Sequence, residues 1–319
     1  MQTVFEKLIS ISQRCVFNHN LRDIEMIILY TQKIIIMKKI IIPFSGEHFS
    51  EGAFSFASAL NSLKPILLTG IFLPEVDYAQ FFFFPESNST PVFVPLLEHF
   101  DEQGIENNVK KFSENCQKSF IEYSVHKNLY DFAIPNLTKE TRFADAMIIG
   151  VEKFFREAPE KGTDEYLRDT LHNTECPVFI VPEKFNFPST IILAYDGSES
   201  SVFSIKQFAC LFPELCDRKT ILLHVGRKVD EETGVERQSE TFPDKLLAQE
   251  LAARHFKDLT ITTIYQKKDG SIADWLKGQD NPLVVSGSFG RSGLSEFFRK
   301  NFVLHAIKEG LAPAFIGHR

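Results

Sequence analysis

The chain has 319 residues, enough for two domains of ordinary size, and its 44% hydrophobic and 24% charged content marks it as globular rather than disordered. A net charge of −7 and a pI near 5.8 argue against an electrostatic nucleic-acid binder. With 32 phenylalanines against one tryptophan, the chain needs large apolar cores or a buried domain interface.

The cysteines are Cys15, Cys116, Cys176, Cys210 and Cys216. Their number is odd and no CxxC or Cys/His ligand spacing occurs, so we expect buried thiols in a reduced, cytoplasmic setting. The histidines are scattered and none forms a metal-ligand pair, so no metal residue is expected. No basic start followed by an apolar core marks a signal peptide. The run from Met26 to Pro43 is interrupted by Gln32, Lys33, Lys38 and Lys39, too early for a membrane span of about 20 apolar residues.

In chain order, residues 1–36 read as an N-terminal extension, because Met37-Lys-Lys-Ile-Ile-Ile-Pro looks like the start of a domain that opens on a strand. Strands are expected at 40–44 and 65–73, with a helix over 53–63 between them. Continuous apolar strands separated by helices imply a parallel sheet covered on both faces. Phe81 to Phe84 precede a loop at 85–91 and are expected to pack beneath it or between domains, with a partner-binding tip as the alternative. A polar amphipathic helix is expected over 98–118. Strands follow at 120–125, 145–150 and 177–182. Residues 183–189, with Pro188, read as a linker.

The second half repeats the first. Ile191-Ile-Leu-Ala-Tyr-Asp-Gly matches Ile40-Ile-Ile-Pro-Phe-Ser-Gly, and Phe203-Ser-Ile matches Phe54-Ser-Phe. Lys219-Thr-Ile-Leu-Leu matches Lys64-Pro-Ile-Leu-Leu. Leu283-Val-Val-Ser-Gly matches Ala146-Met-Ile-Ile-Gly, and Pro313-Ala-Phe-Ile matches Pro177-Val-Phe-Ile. Five matches in one order indicate duplication of a whole fold rather than a solenoid. The domains are therefore expected at 37–183 and 188–319. In the second, strands are expected at 191–195, 220–225, 259–265, 283–286 and 313–317, with helices at 199–213, 243–256 and 271–277.

The stretch with most chemistry is Ser286-Gly-Ser-Phe-Gly-Arg-Ser-Gly-Leu-Ser, a glycine-rich turn after a buried strand. Glycines let the backbone approach an anion, and free N–H groups at the next helix start supply donors. The spacing is neither that of a Walker A loop nor that of the dinucleotide fingerprint.

These residues resemble the universal stress protein family. The resemblance rests on Ala194-Tyr-Asp-Gly-Ser, Leu222-Leu-His-Val, Asp269-Gly-Ser-Ile and the glycine-rich turn, and extends more weakly over 38–183. It implies an α/β fold of two tandem Rossmann-like five-stranded parallel sheets (adenine nucleotide alpha hydrolase-like), packed as a pseudo-dimer through their last strands. ATP-binding members carry Gly, two residues, Gly, nine residues, then Gly and Ser or Thr. Gly287 and Gly290 match the first pair, whereas the closing pair falls on Lys300-Asn301. Lys300 would bring an ammonium near a phosphate, and Asn301 can cap a helix.

Carried over by position, the resemblance implies adenine against Ala194, Tyr195, Asp196 and Val225. It implies ribose and phosphates against Gly287, Gly290, Arg291, Ser292 and Asn301, with Phe302 beside them and Mg²⁺ as an accompanying ion. The first half has Ser45 in place of Asp196 and Glu152 after Gly150, so it is expected to bind no nucleotide. The implied function is a cytoplasmic stress-response protein that binds ATP or AMP in its second domain, regulatory and without catalytic residues. The alternatives are a nucleotide-independent interaction scaffold and a slow ATPase. Expected partners are the nucleotide, an unidentified protein and a second copy of the chain, with no nucleic acid and no membrane.

Overall fold

The computed structural model describes residues 37–44, 48–73, 102–127, 133–150, 174–227, 242–266, 272–287 and 310–317. The chain divides into two units, Met1–Met37 and Lys38–Arg319, and every element below belongs to the second. Phe81 to Phe84, Ser45 and Glu152 lie outside the described residues.

The first half runs β1 (Lys38–Phe44), α1 (Glu51–Leu63), β2 (Ile66–Phe72), α2 (Glu102–Lys118), β3 (Glu122–Lys127), α3 (Ala133–Arg142), β4 (Ala146–Gly150) and β5 (Val178–Val181). The second runs β6 (Thr190–Ala194), α4 (Glu199–Leu211), a 3₁₀ turn (Pro213–Leu215), β7 (Lys219–Arg227), α5 (Lys245–His255), β8 (Asp258–Gln266), α6 (Ile272–Lys277), β9 (Pro282–Gly287) and β10 (Ala314–Gly317). Predicted boundaries shift by a few residues at most. Helix α3 has no counterpart in the sequence reading. Its Pro135 argues against a helix, yet lies in the first turn, where a missing N–H costs little.

The ten strands among the described residues form one sheet in the order β3-β2-β1-β4-β5-β10-β9-β6-β7-β8. Every pairing is parallel except β5 with β10, which is antiparallel. Parallel strands covered on both faces must be apolar along their whole length, and Ile40, Ile41 and Ile42 are accordingly buried without alternation. One face packs under α1, α2, α4 and α5 through Ile42, Phe56, Phe112, Leu193, Phe208 and Ala252. The other gathers Ile41, Met147, Ile192 and Val284 with Leu137 of α3 and Leu276 of α6.

Strand register refines the repeat. Ile40 lies beside Ala146 as Ile191 lies beside Leu283, so those two matches hold in three dimensions. The match of Lys64–Leu68 with Lys219–Leu223 does not. Leu68 lies beside Ile40 but Thr220 beside Ile191, so Leu68 corresponds to Thr220 and Phe72 to His224. The sequence match is three residues out of step, and an odd slip would turn every side chain to the wrong face. In the helices, Ser50 caps α1 by accepting from the Ala53 N–H, and Ser198 caps α4 by accepting from the Ser201 N–H. Aligned cap to cap, Phe54 corresponds to Val202 rather than Phe203.

Cys116, Cys176 and Cys216 are buried, and Cys210 is exposed. Helix α5 turns Ala248 and Ala252 to the core and leaves Leu246 and Leu247 in solvent.

Candidate functional site

A doubly wound sheet offers a crevice where adjacent strands send their chains to opposite faces. In the second half the strand order reverses between β6 and β9: β7 and β8 lie on one side of β6 and β9 on the other. After β6 the chain enters α4 on one face, and α6, which leads into β9, lies on the other. Leu193 pairs with Val285, so Ala194 to Asp196 and Ser286 to Gly287 meet at the carboxyl ends of the two strands.

The turn after β6 is built by its own side chains. Gly197 has φ of 82°, a conformation that disfavours a side chain. Asp196 Oδ1 accepts from the Ser198 N–H at 2.9 Å, closing an Asx turn. Ser198 then caps α4, and its Oγ lies 3.0 Å from Ser200 Oγ. Asp196 therefore has a structural task, and its Oδ1 is engaged by it.

Ala194 and Val225 are both buried and share the sheet face that carries Ile192, Leu223 and Trp275. Tyr195 turns to the opposite face. Its ring stacks on Phe242 at 5.4 Å and 22°, and its N–H donates to the Leu223 carbonyl at 2.9 Å. Burial first, then Asp244 and Asp196, hold the Tyr195 hydroxyl in its protonated form above the ordinary phenol range. Of the four residues expected around adenine, Ala194 and Val225 thus lie on one face of the sheet and Tyr195 on the other.

Gly287 ends β9. A Cβ placed there would come within 2.6 Å of the Ser200 backbone carbon, so close packing of α4 accounts for this glycine. Ser204 continues that contact, donating to the Ser286 carbonyl at 2.6 Å and accepting from the Gly317 N–H at 3.2 Å. Gly290, Arg291, Ser292, Asn301 and Phe302 lie outside the described residues, as does Lys300.

Two residues that sequence reasoning missed join this end of the sheet. His224 is buried; its Nδ1 lies 3.3 Å from the Tyr195 carbonyl oxygen, and its Nε2 has no hydrogen-bond partner among the described residues. Phe242 lies 4.9 Å from the His224 ring, and Pro243 packs on Gly197. The signal was the histidine itself, at a strand position where the other half has Phe72. In the first half the matching end is filled with phenylalanine: Phe44 stacks on Phe49 at 4.7 Å and Phe72 at 5.2 Å, with Phe112 at 5.6 Å. Among the described residues no group of three or more His, Cys, Asp or Glu side chains is placed to hold a metal ion. No helix among them is long and apolar enough to cross a membrane.

The geometry defines a doubly wound α/β protein whose candidate site lies at the carboxyl ends of β6 and β9. Among solved structures it is similar to a universal stress protein from Archaeoglobus fulgidus DSM 4304, with a TM-score of 0.52 and 13% sequence identity over 88% of this chain and 96% of that chain. The fold is therefore that of the universal stress proteins, and a match of this extent reaches into both halves. Neither a family model nor a curated protein matches the chain.

Proposed function

We propose that the protein is a cytoplasmic stress-response protein that binds ATP or AMP in its second half and acts by regulation rather than catalysis. The observation that carries this reading is the difference between the two switch points. The first is packed with Phe44, Phe49 and Phe72. The second has Tyr195, Asp196 and His224, with one buried imidazole nitrogen unpartnered among the described residues. Buried polar groups are nearly always satisfied, so such an atom favours a ligand beside it.

The described residues fit half of such a site. Ala194 and Val225 form an apolar wall suited to a flat heterocycle, and the Asp196 carboxylate stands at the same end of β6. The phosphate half of the reading rests on Gly290, Arg291, Ser292 and Asn301, with Mg²⁺ as counter-ion. A bound nucleotide would supply no group-transfer chemistry in this reading; it would bias which surface the protein presents to a partner. A second copy of the chain is included among the proposed partners.

A scaffold without nucleotide is the second reading. It is favoured by the internal tasks of Gly287, which makes room for Ser200, and of Asp196, which closes the turn. Thermal shift with ATP, AMP and Mg²⁺ separates the two. A nucleotide at 100 times its Kd should add about 2.7 kcal/mol, and Gly290→Val should abolish that gain with the fold intact. Silence from every adenine nucleotide selects the scaffold. Phosphate release above background, lost in Asp196→Ala, selects a slow ATPase.

A further inference from the structure

The amino end of α1 in the first half is already occupied, and by this chain's own carboxylate. Glu183 follows β5 and reaches across to α1. Its Oε1 accepts from the Glu51 N–H at 2.9 Å. Its Oε2 accepts from the Gly52 N–H and the Ser50 hydroxyl, both at 3.0 Å. His48 Nε2 lies 4.0 Å from the same Oε1. Ser50 is itself buried, and its oxygen also accepts from the Ala53 N–H. One carboxylate thus gathers two of the backbone donors that a helix leaves unpaired at its start, together with a hydroxyl.

The backbone is shaped for this contact. A Cβ at Gly52 would lie 2.3 Å from the Pro182 carbonyl oxygen and 2.7 Å from the Glu183 Cα, so a glycine is needed for the 182–183 backbone to come this close. The two halves differ at this point in charge. The match of Pro177-Val-Phe-Ile with Pro313-Ala-Phe-Ile puts Arg319 in the place of Glu183. The helix that matches α1 is α4, and it is capped by Ser198.

We propose that Glu183 is a built-in ligand of the first half: its carboxylate takes the place that an external oxyanion would hold at the amino end of α1. Phe49 lies stacked on Phe44 under the Lys111 ammonium, which stands 4.6 Å from its ring and pairs with Glu51. The inference goes beyond the nucleotide reading and stands whether or not the second half binds one, because every contact belongs to the first half.

The test is hydrogen–deuterium exchange on the full chain, read on the peptide that carries Glu51, Gly52 and Ala53. In the wild-type protein these amides should be protected, and inorganic phosphate should leave them unchanged. In Glu183→Ala the Glu51 and Gly52 amides should exchange about tenfold faster or more, and millimolar inorganic phosphate should restore part of the protection. Glu183→Gln, which keeps the shape and one acceptor oxygen, should fall between the two and serves if the alanine variant does not fold. Unchanged exchange in both variants would overturn the proposal. So would phosphate protection of the wild-type peptide, or a loss that phosphate does not restore, since the carboxylate would then be only a local cap. Failure of the nucleotide reading would show elsewhere, in the thermal shift and in peptides of the second half.

Discussion

Phe179 and Phe315 stand directly opposite each other where β5 meets β10, their ring centroids 5.0 Å apart and inclined at 64°. These two residues are each other's counterparts in the repeat. Their flanking pairs are reciprocal, Ile180 beside Ala314 and Val178 beside Ile316. That is the pairing a two-fold axis produces when identical strands meet. Phe56 and Phe212 close on the same spot, at 4.9 Å each from the Phe179 ring.

Truncating either ring should therefore weaken both halves at once. We expect Phe179→Ala to cost about 3–5 kcal/mol, and Phe315→Ala a similar amount. The double variant should cost less than the sum, since the rings share contacts. Urea unfolding followed by circular dichroism measures this. Strict additivity, or two separate transitions, would show that the halves unfold independently.

Ser204 is buried and ties α4 to β9 and β10 through one hydroxyl. Ser204→Ala leaves the Gly317 N–H and the Ser286 carbonyl each short of a bond, a loss of about 1–3 kcal/mol. Ser204→Cys should recover little, because a thiol is a weak donor. Thermal unfolding of the two variants gives the comparison.

Lys38 of β1 reaches the second half. Its ammonium pairs with Glu214 and lies 4.8 Å from the Phe212 ring, with both charged side chains largely buried. Lys38→Met strands the Glu214 carboxylate and should cost about 3 kcal/mol or more. Lys38→Met with Glu214→Leu should recover most of that loss, because two apolar groups need no partner. Equal instability of the single and double variants would assign the effect to lost packing.

Much of this architecture was legible in advance. Unbroken apolar runs such as Ile40–Ile42 and Leu283–Val285 marked strands buried on both faces, and their shared order marked the repeat. Register was less legible, because Leu68 and Leu223 are chemically alike while pairing decides which face each strand presents. Helix α3 was hidden by Pro135. At the candidate site, Asp196 and Gly287 were singled out by their residue types, but the types did not reveal that turn closure and the approach of Ser200 use them. Glu183 read as part of a linker, because a carboxylate that acts across more than a hundred residues leaves no local signature.

The thiols give a prediction in pH. Burial pushes Cys116, Cys176 and Cys216 each up to about 12, from 9.0 for an exposed thiol. Below about pH 9 both folded and unfolded chains hold these protons, and the contribution is intact. Between 9 and 12 only the unfolded chain releases them, so stability should fall as pH rises, by at most about 1.4 kcal/mol per pH unit for each thiol. Denaturant midpoints across that range measure the slope. Alkylation of the native protein near neutral pH should modify Cys210 and spare Cys116, Cys176 and Cys216.

The pairing of β5 with β10, the one antiparallel pairing among the described residues, bears on how the sequence can diverge. When two identical subunits meet across a two-fold axis, any substitution is imposed on both sides. Here both sides of the seam are carried by one chain, so each can change alone. Glu183 and its counterpart Arg319 carry opposite charges, a divergence that a symmetric pair of identical subunits could not express.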